Sequence, residues 1–192
     1  MSLFRNLIIV LILGLVTCAN AGAQNNVYRD ADAYEVYAAI LRGYPARDKE
    51  KEIVISNTSV GGRDIDSCLV PDKEFEPIEG PVIADYKQIN SKNWIFENKF
   101  PADLNYQLVS QKELDLLVRN GWETFQKKYP KSYGYVSLSA VGFNKEKTIA
   151  IVMRDSSCGD LCGGGEYYAM EKKEGKWQRM QWKGSECYWR SD

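Results

Sequence analysis

Residues 147–182 read KTIAIVMRDSSCGDLCGGGEYYAMEKKEGKWQRMQW, and this stretch decides the predicted fold. Apolar and polar side chains alternate through much of it, which is the period of β-strands. Glu174-Gly175 places glycine where a tight hairpin turn needs a positive φ, and 144–146 form a second turn just upstream. The alternating segments are 133–143, 147–154, 166–173 and 176–182. They predict a four-stranded antiparallel meander made of two hairpins.

The segment 155–165, DSSCGDLCGGG, joins the two predicted hairpins and is the most distinctive internal sequence of the chain. Its glycines favour a crossover loop stapled by a cysteine pair, in which glycine serves backbone geometry. The functional alternative is a nest of N–H groups that binds an anion, although phosphate-binding loops pass from a strand into a helix. The candidate functional residues of this loop are Asp155, Asp160, Gly163, Gly164, Gly165 and Glu166.

Apolar residues at helical spacing predict helices upstream of this region. The first begins at an acidic cap, Asp32, with Glu35 three residues later, and Gly121 bends or splits the last one. The predicted helices cover 32–44, 81–90 and 114–129, and short strands cover 53–55 and 106–110, with a long loop over 57–80. We therefore expect an α+β domain in which two or three helices pack on one face of a mainly antiparallel sheet.

The N-terminus has the order of regions that a secretory signal peptide requires. Arg5 precedes an apolar run over 7–16, and small residues spaced A-x-A follow at 19–21 and 21–23. The run is too short for a membrane-spanning helix, which needs about 20 apolar residues. We expect residues 1–23 to be a signal peptide and residues 24–192 to be one exported domain, periplasmic or secreted. In a second interpretation, 15–18 act as a lipobox and Cys18 carries a lipid anchor.

Four cysteines remain after the predicted signal peptide: Cys68, Cys158, Cys162 and Cys187. An even number of cysteines in an exported chain indicates disulfides, with three possible connectivities. We expect Cys158 to pair with Cys162, because they lie four residues apart, and Cys68 to pair with Cys187. A four-cysteine zinc site would require two close C-x₂-C pairs, which are not present.

The composition excludes several classes of function. The chain has no histidine, which removes Ser-His and Cys-His catalysis and metal sites that need imidazole. Its formal net charge of −1 provides no electrostatic attraction to nucleic acid. We expect no cofactor, and a membrane association only through a lipidated Cys18.

Several segments of the C-terminal half resemble one group of proteins. They are Gly142-Phe143-Asn144, the Cys158-Gly159 and Leu161-Cys162-Gly163 pattern, Tyr167-Tyr168 and Gly175-Lys176-Trp177. This half is similar to bacterial exported proteins that share a VGFN…CGxLCGxG…GxW pattern. The resemblance implies a bacterial exported domain and implies no activity.

The leading functional hypothesis is a non-enzymatic exported domain that binds a protein or an envelope component, either as an inhibitor of a hydrolase or in a structural role. The main alternative is a hydrolase of envelope glycan that uses paired carboxylates among Asp155, Asp160 and Glu166. A third hypothesis is a structural lipoprotein anchored through Cys18.

Overall fold

The computed structural model describes residues 26–42, 44, 51–61, 65, 80–180 and 188–190. The predicted signal peptide, Cys18, Cys68 and Cys187 lie outside the described residues, as does most of the predicted 57–80 loop. None of the helices in the described ranges is long and apolar enough to cross a membrane.

The described residues contain four α-helices and two groups of β-strands. The helices are α1 (Ala31–Leu41), α2 (Gly80–Ile89), α3 (Gln111–Arg119) and α4 (Trp122–Lys128). The strands are β1 (Val27–Tyr28), β2 (Ile53–Ser56), β3 (Ile95–Phe96), β4 (Tyr106–Val109), β5 (Tyr135–Leu138), β6 (Gly142–Phe143), β7 (Ile149–Gly159), β8 (Cys162–Lys173), β9 (Lys176–Arg179) and β10 (Tyr188–Arg190).

The main sheet is mixed, with strand order β10-β8-β7-β5-β2-β4. The short strand β6 pairs with β7, and β9 pairs with β8. Strand β2 runs parallel to both β4 and β5, whereas β5 through β10 pair antiparallel. The predicted α+β class is therefore confirmed, and the antiparallel C-terminal strands are present, but the N-terminal part of the sheet is parallel.

The prediction that 155–165 form a crossover loop between two hairpins is wrong. Strands β7 and β8 continue through this segment, and Asp155, Ser156 and Ser157 pair with Gly165, Gly164 and Gly163. Only Asp160 and Leu161 form the turn between the strands. Glycine tolerates the extended conformation as well as a turn, and pairing across the ribbon satisfies its backbone groups.

Helices cover both faces of the sheet, not one face as predicted. Side chains alternate along a strand, so Ala150 and Val152 face the side on which α1 packs. Ile151 and Met153 face the opposite side, together with Val82 and Tyr86 of α2. Helices α3 and α4 pack around Val54 of β2. Ile53 and Ile55, on either side of Val54, face α1, so Val54 and the two helices lie on the opposite side, with α2. We call these two sides the α1 face and the α2 face.

Two local predictions on helix ends are corrected or refined. The N-cap of α1 is Asp30, whose carboxylate accepts a hydrogen bond from the Asp32 N–H at 3.0 Å. Asp32 does not cap the helix, because its carboxylate binds Lys147 and Lys172 at 3.0 and 3.1 Å. The predicted third helix is split into α3 and α4 at Gly121, which has a φ of 95° that other residues rarely adopt.

Position 165 requires glycine because the ring of Trp189 lies close to its backbone. Trp189 of β10 pairs with Gly165 of β8, and a Cβ atom added at residue 165 would overlap the indole ring. The same indole lies 6.4 Å from the ring of Tyr167, which in turn lies 5.8 Å from Tyr86 of α2. Gly165 therefore lets β10 complete an aromatic row on the α2 face.

We expect Gly165→Ala to destabilise the protein by about 1–3 kcal/mol, since the new methyl group must displace the Trp189 ring. Gly61→Ala is the control, because a Cβ at Gly61 meets no atom within 4 Å. Urea unfolding followed by circular dichroism measures both variants. Equal midpoints for the two variants would contradict this explanation of Gly165.

An ion-pair chain fixes the start of α1 to the sheet and predicts a pH dependence. The hydrogen bond from Lys147, with a further one from Lys172, lowers the pKa of Asp32. A lowered pKa stabilises the fold above the ordinary aspartate value of about 4, and this contribution is lost as the pH falls through the lower value. We expect Asp32→Asn to cost up to about 1 kcal/mol at pH 7 and progressively less below pH ~4.

The measurement is the free energy of unfolding in urea between pH 3 and pH 7. The exposed Asp160→Asn serves as the control for loss of one carboxylate. A cost of Asp32→Asn that stays constant across this range would contradict the predicted linkage.

Candidate functional site

The predicted functional residues lie at the outer end of the β7–β8 ribbon, where the helices no longer bury the strands. Residues 150–153 and 167–170 are buried, whereas the residues from Arg154 and Glu166 outward are only half-buried or exposed. The structure does not bring the three candidate carboxylates together. Asp155 and Glu166 occupy adjacent cross-strand pairs and so face opposite sides of the ribbon, and Asp160 lies at the exposed turn.

A disulfide joins Cys158 and Cys162 behind the turn, with the two Cα atoms 5.0 Å apart. The residues on either side of it are small: Ser156, Ser157, Gly159, Gly163 and Gly164. Ser156 Oγ donates a hydrogen bond of 2.9 Å to the Gly164 carbonyl across the strands. Leu161 projects from the turn with 76% of its surface exposed. We call residues 156–164 the stapled tip.

A second feature, the arginine groove, lies on the α1 face below the stapled tip. Its centre is Glu166, whose Oε1 lies 3.2 Å from Arg154 Nη2 and whose Oε2 lies 3.4 Å from Arg179 Nη2. Tyr168 donates its hydroxyl proton to Glu166 Oε1. One carboxylate thus faces two guanidinium groups, and the three charges sum to +1.

Aromatic rings hold both guanidinium groups in place. The Arg154 guanidinium carbon lies 4.6 Å from the centre of the Tyr44 ring and 5.0 Å from that of Tyr168. Arg179 lies 4.8 Å from the Tyr168 ring. The Arg154 side chain is 17% exposed and that of Arg179 is 56% exposed, so the groove has one fixed and one accessible arginine.

The environment keeps Tyr168 protonated. Burial, together with the hydrogen bond and negative charge of Glu166, raises the pKa of Tyr168 well above its usual range, although the two arginines act in the opposite direction. Tyr168 therefore remains a hydrogen-bond donor at physiological pH.

The groove has a volume of about 530 Å³, and apolar side chains from α1, β8 and β9 complete its wall: Ala39, Ile40, Met170 and Trp177. A smaller depression of about 420 Å³ adjoins it along the stapled tip, and Arg154 and Glu166 line both. The indole Nε1 of Trp177 is buried and has no hydrogen-bond acceptor in the described part of the chain.

Three carboxylates at the start of α1 serve as ion-pair partners of two lysines. Lys147 Nζ lies 3.0 Å from both Asp30 and Asp32, and Lys172 Nζ lies 3.1 Å from Asp32 and 3.2 Å from Glu35. In the residues that the structure describes, no group of three or more His, Cys, Asp or Glu side chains is placed to hold a metal ion.

Sequence reasoning found the stapled tip but missed the arginine groove. Arg154, Glu166 and Tyr168 share one face because they alternate along paired strands, and Met170, which opposes Arg179 in β9, extends that face. A prediction that extended both strands through the glycine segment would have placed Arg154 opposite Glu166, on the same face as Tyr168. Tyr44 could not have been found in this way, since it follows a helix that is distant in sequence.

We found no match to this chain among models of protein families, curated proteins or solved structures. The resemblance of the C-terminal half to bacterial exported proteins therefore stays a prediction.

Proposed function

We propose that this protein is an exported binding domain that inserts its stapled tip into a cleft of a partner protein, as an inhibitor of a hydrolase does. The observation that carries the proposal is the 76% exposed Leu161 at the end of a disulfide-closed ribbon. A large apolar side chain at such a position contributes nothing to the core. It gains favourable burial when a partner covers it.

The rigidity of the tip supports this proposal. Three constraints act on the segment: the pairing of β7 with β8, the Cys158–Cys162 disulfide and the strand β10 on the outer edge of β8. A segment that is ordered before binding loses little conformational entropy in the complex, which increases its affinity.

The shape of the tip supports a concave partner site. In the described residues, β5 pairs with the ribbon as far as Ser157 and β10 as far as Gly164, so beyond them the ribbon is two strands wide, with a glycine next to each cysteine. Narrow, pre-ordered loops with a few projecting side chains can enter a cleft that a flat surface cannot reach. Catalytic clefts of hydrolases have this concave form.

The alternative of a carboxylate-based glycan hydrolase gains no support from the described residues. Such an enzyme needs two carboxyl groups that face each other across a cleft about 5–10 Å wide. Glu166 instead faces Arg154 and Arg179, while Asp155 projects to the other side of the ribbon.

A photo-crosslinking amino acid at position 161, expressed in the native host, tests the proposal. We expect one discrete adduct of defined mass, because the tip contacts a single partner protein. The same amino acid at Leu116, an exposed residue of α3, is the control and should give no such adduct.

Once the partner is purified, the affinity of point variants can be measured. Leu161→Asp should weaken partner binding at least tenfold, whereas Leu116→Asp should not. Equal crosslinking at both positions, or full affinity of Leu161→Asp, would refute the proposal.

Removing the disulfide should weaken partner binding while the domain stays folded. We expect the double change Cys158→Ser with Cys162→Ser to cost about 2 kcal/mol of stability, since the closed loop is short. The affinity for the crosslinked partner should fall because the free tip samples more conformations. Calorimetric titration of the partner into the folded variant measures the loss. An unchanged affinity would show that rigidity of the tip is not required.

A further inference from the structure

We propose that the arginine groove binds a small ligand that carries one carboxylate group on an apolar body. This site lies on the α1 face, away from Leu161, and the inference does not depend on what the stapled tip binds.

The charge of the groove favours a monoanion. Arg154 and Arg179 share the single carboxylate of Glu166, and in the described residues each guanidinium donates only one hydrogen bond, to that carboxylate. Each guanidinium group has five N–H donors in a fork that matches the two oxygens of a carboxylate. A ligand carboxylate would bring the net charge of the cluster to zero, whereas a phosphate dianion would leave a net charge of −1 in a half-buried groove.

The groove differs from an ordinary surface ion pair in its degree of burial. The Arg154 side chain is 17% exposed and lies between the rings of Tyr44 and Tyr168. Reduced contact with water strengthens electrostatic attraction to a bound anion. Arg179 is 56% exposed, so it can turn toward a ligand without disturbing the core.

An unpaired donor at the same groove is a separate observation. Trp177 lines the groove, and its buried Nε1–H lacks an acceptor in the part of the chain described. Buried indole N–H groups usually have a hydrogen-bond partner. A ligand whose acceptor oxygen reaches Nε1 would supply that partner.

The remaining wall of the groove selects for an apolar body. Ala39, Ile40 and Met170 lie beside the three aromatic rings. The volume of about 530 Å³ falls within the range of sites for small organic ligands, about 300–1,000 Å³. Aromatic amino-acid derivatives and medium-chain fatty acids both combine a carboxylate with such a body.

Isothermal titration calorimetry with four probes tests the inference: N-acetyl-L-tryptophan, its neutral amide, octanoate and inorganic phosphate. We expect at least one of the two carboxylates to bind. The amide should bind at least tenfold more weakly than N-acetyl-L-tryptophan if that acid binds, and phosphate should bind at least tenfold more weakly than whichever carboxylate binds. Binding of the tryptophan derivative alone assigns an aromatic body, and binding of octanoate alone assigns an acyl chain.

Matched variants locate the site. Arg179→Gln should weaken carboxylate binding at least tenfold, and Arg179→Lys should recover part of it, because lysine keeps the charge but loses the fork. Arg119→Gln, at an exposed arginine of α3, should bind as the unchanged protein does. Circular dichroism checks that all three variants are folded. The inference is overturned if neither carboxylate binds at millimolar concentration, if acid and amide bind equally, or if Arg179→Gln retains full affinity.

Discussion

Backbone hydrogen bonds between β7 and β8 join the strands from Ile149 to Gly159, and the rest of the sheet is built outward from this ladder. Strand β5 pairs on the outer side of β7, and β9 and β10 pair on the outer side of β8. The inner half of the ladder is buried by helices on both faces. Because the backbone pairing continues beyond that cover, the outer half stays ordered without being part of the core.

The uneven cover of the ribbon places two surfaces with different chemistry next to each other. The end of the ribbon presents a leucine on a narrow, disulfide-closed turn. The α1 face just below it presents two arginines, one glutamate and two tyrosines. Arg154 and Glu166 mark the boundary, since they are the first cross-strand pair beyond the buried one formed by Met153 and Tyr167. One long hairpin therefore supplies both proposed binding surfaces.

Local patterns predicted local structure well, and tertiary contacts decided the rest. Helical spacing located α1 and α2, and Gly121 identified the point where α3 and α4 separate. Glu174 and Gly175 both have positive φ, as a hairpin turn of the predicted kind requires. Gly165 was misread because its role depends on a neighbour distant in sequence, the Trp189 ring that lies against it. The arginine groove was missed for the same reason, since Tyr44 reaches Arg154 only in the folded chain.

Native-state hydrogen exchange of the oxidised protein tests most directly whether the cysteine–glycine segment is an ordered ribbon. If β7 and β8 pair through this segment, the hydrogen-bonded amides of residues 155–157 and 163–165 should exchange orders of magnitude more slowly than an unstructured peptide. Those at Asp160 and Leu161 in the turn should exchange much faster. Exchange of the whole 155–165 segment at unstructured rates, with the disulfide intact, would show that it is a loop and would contradict this account.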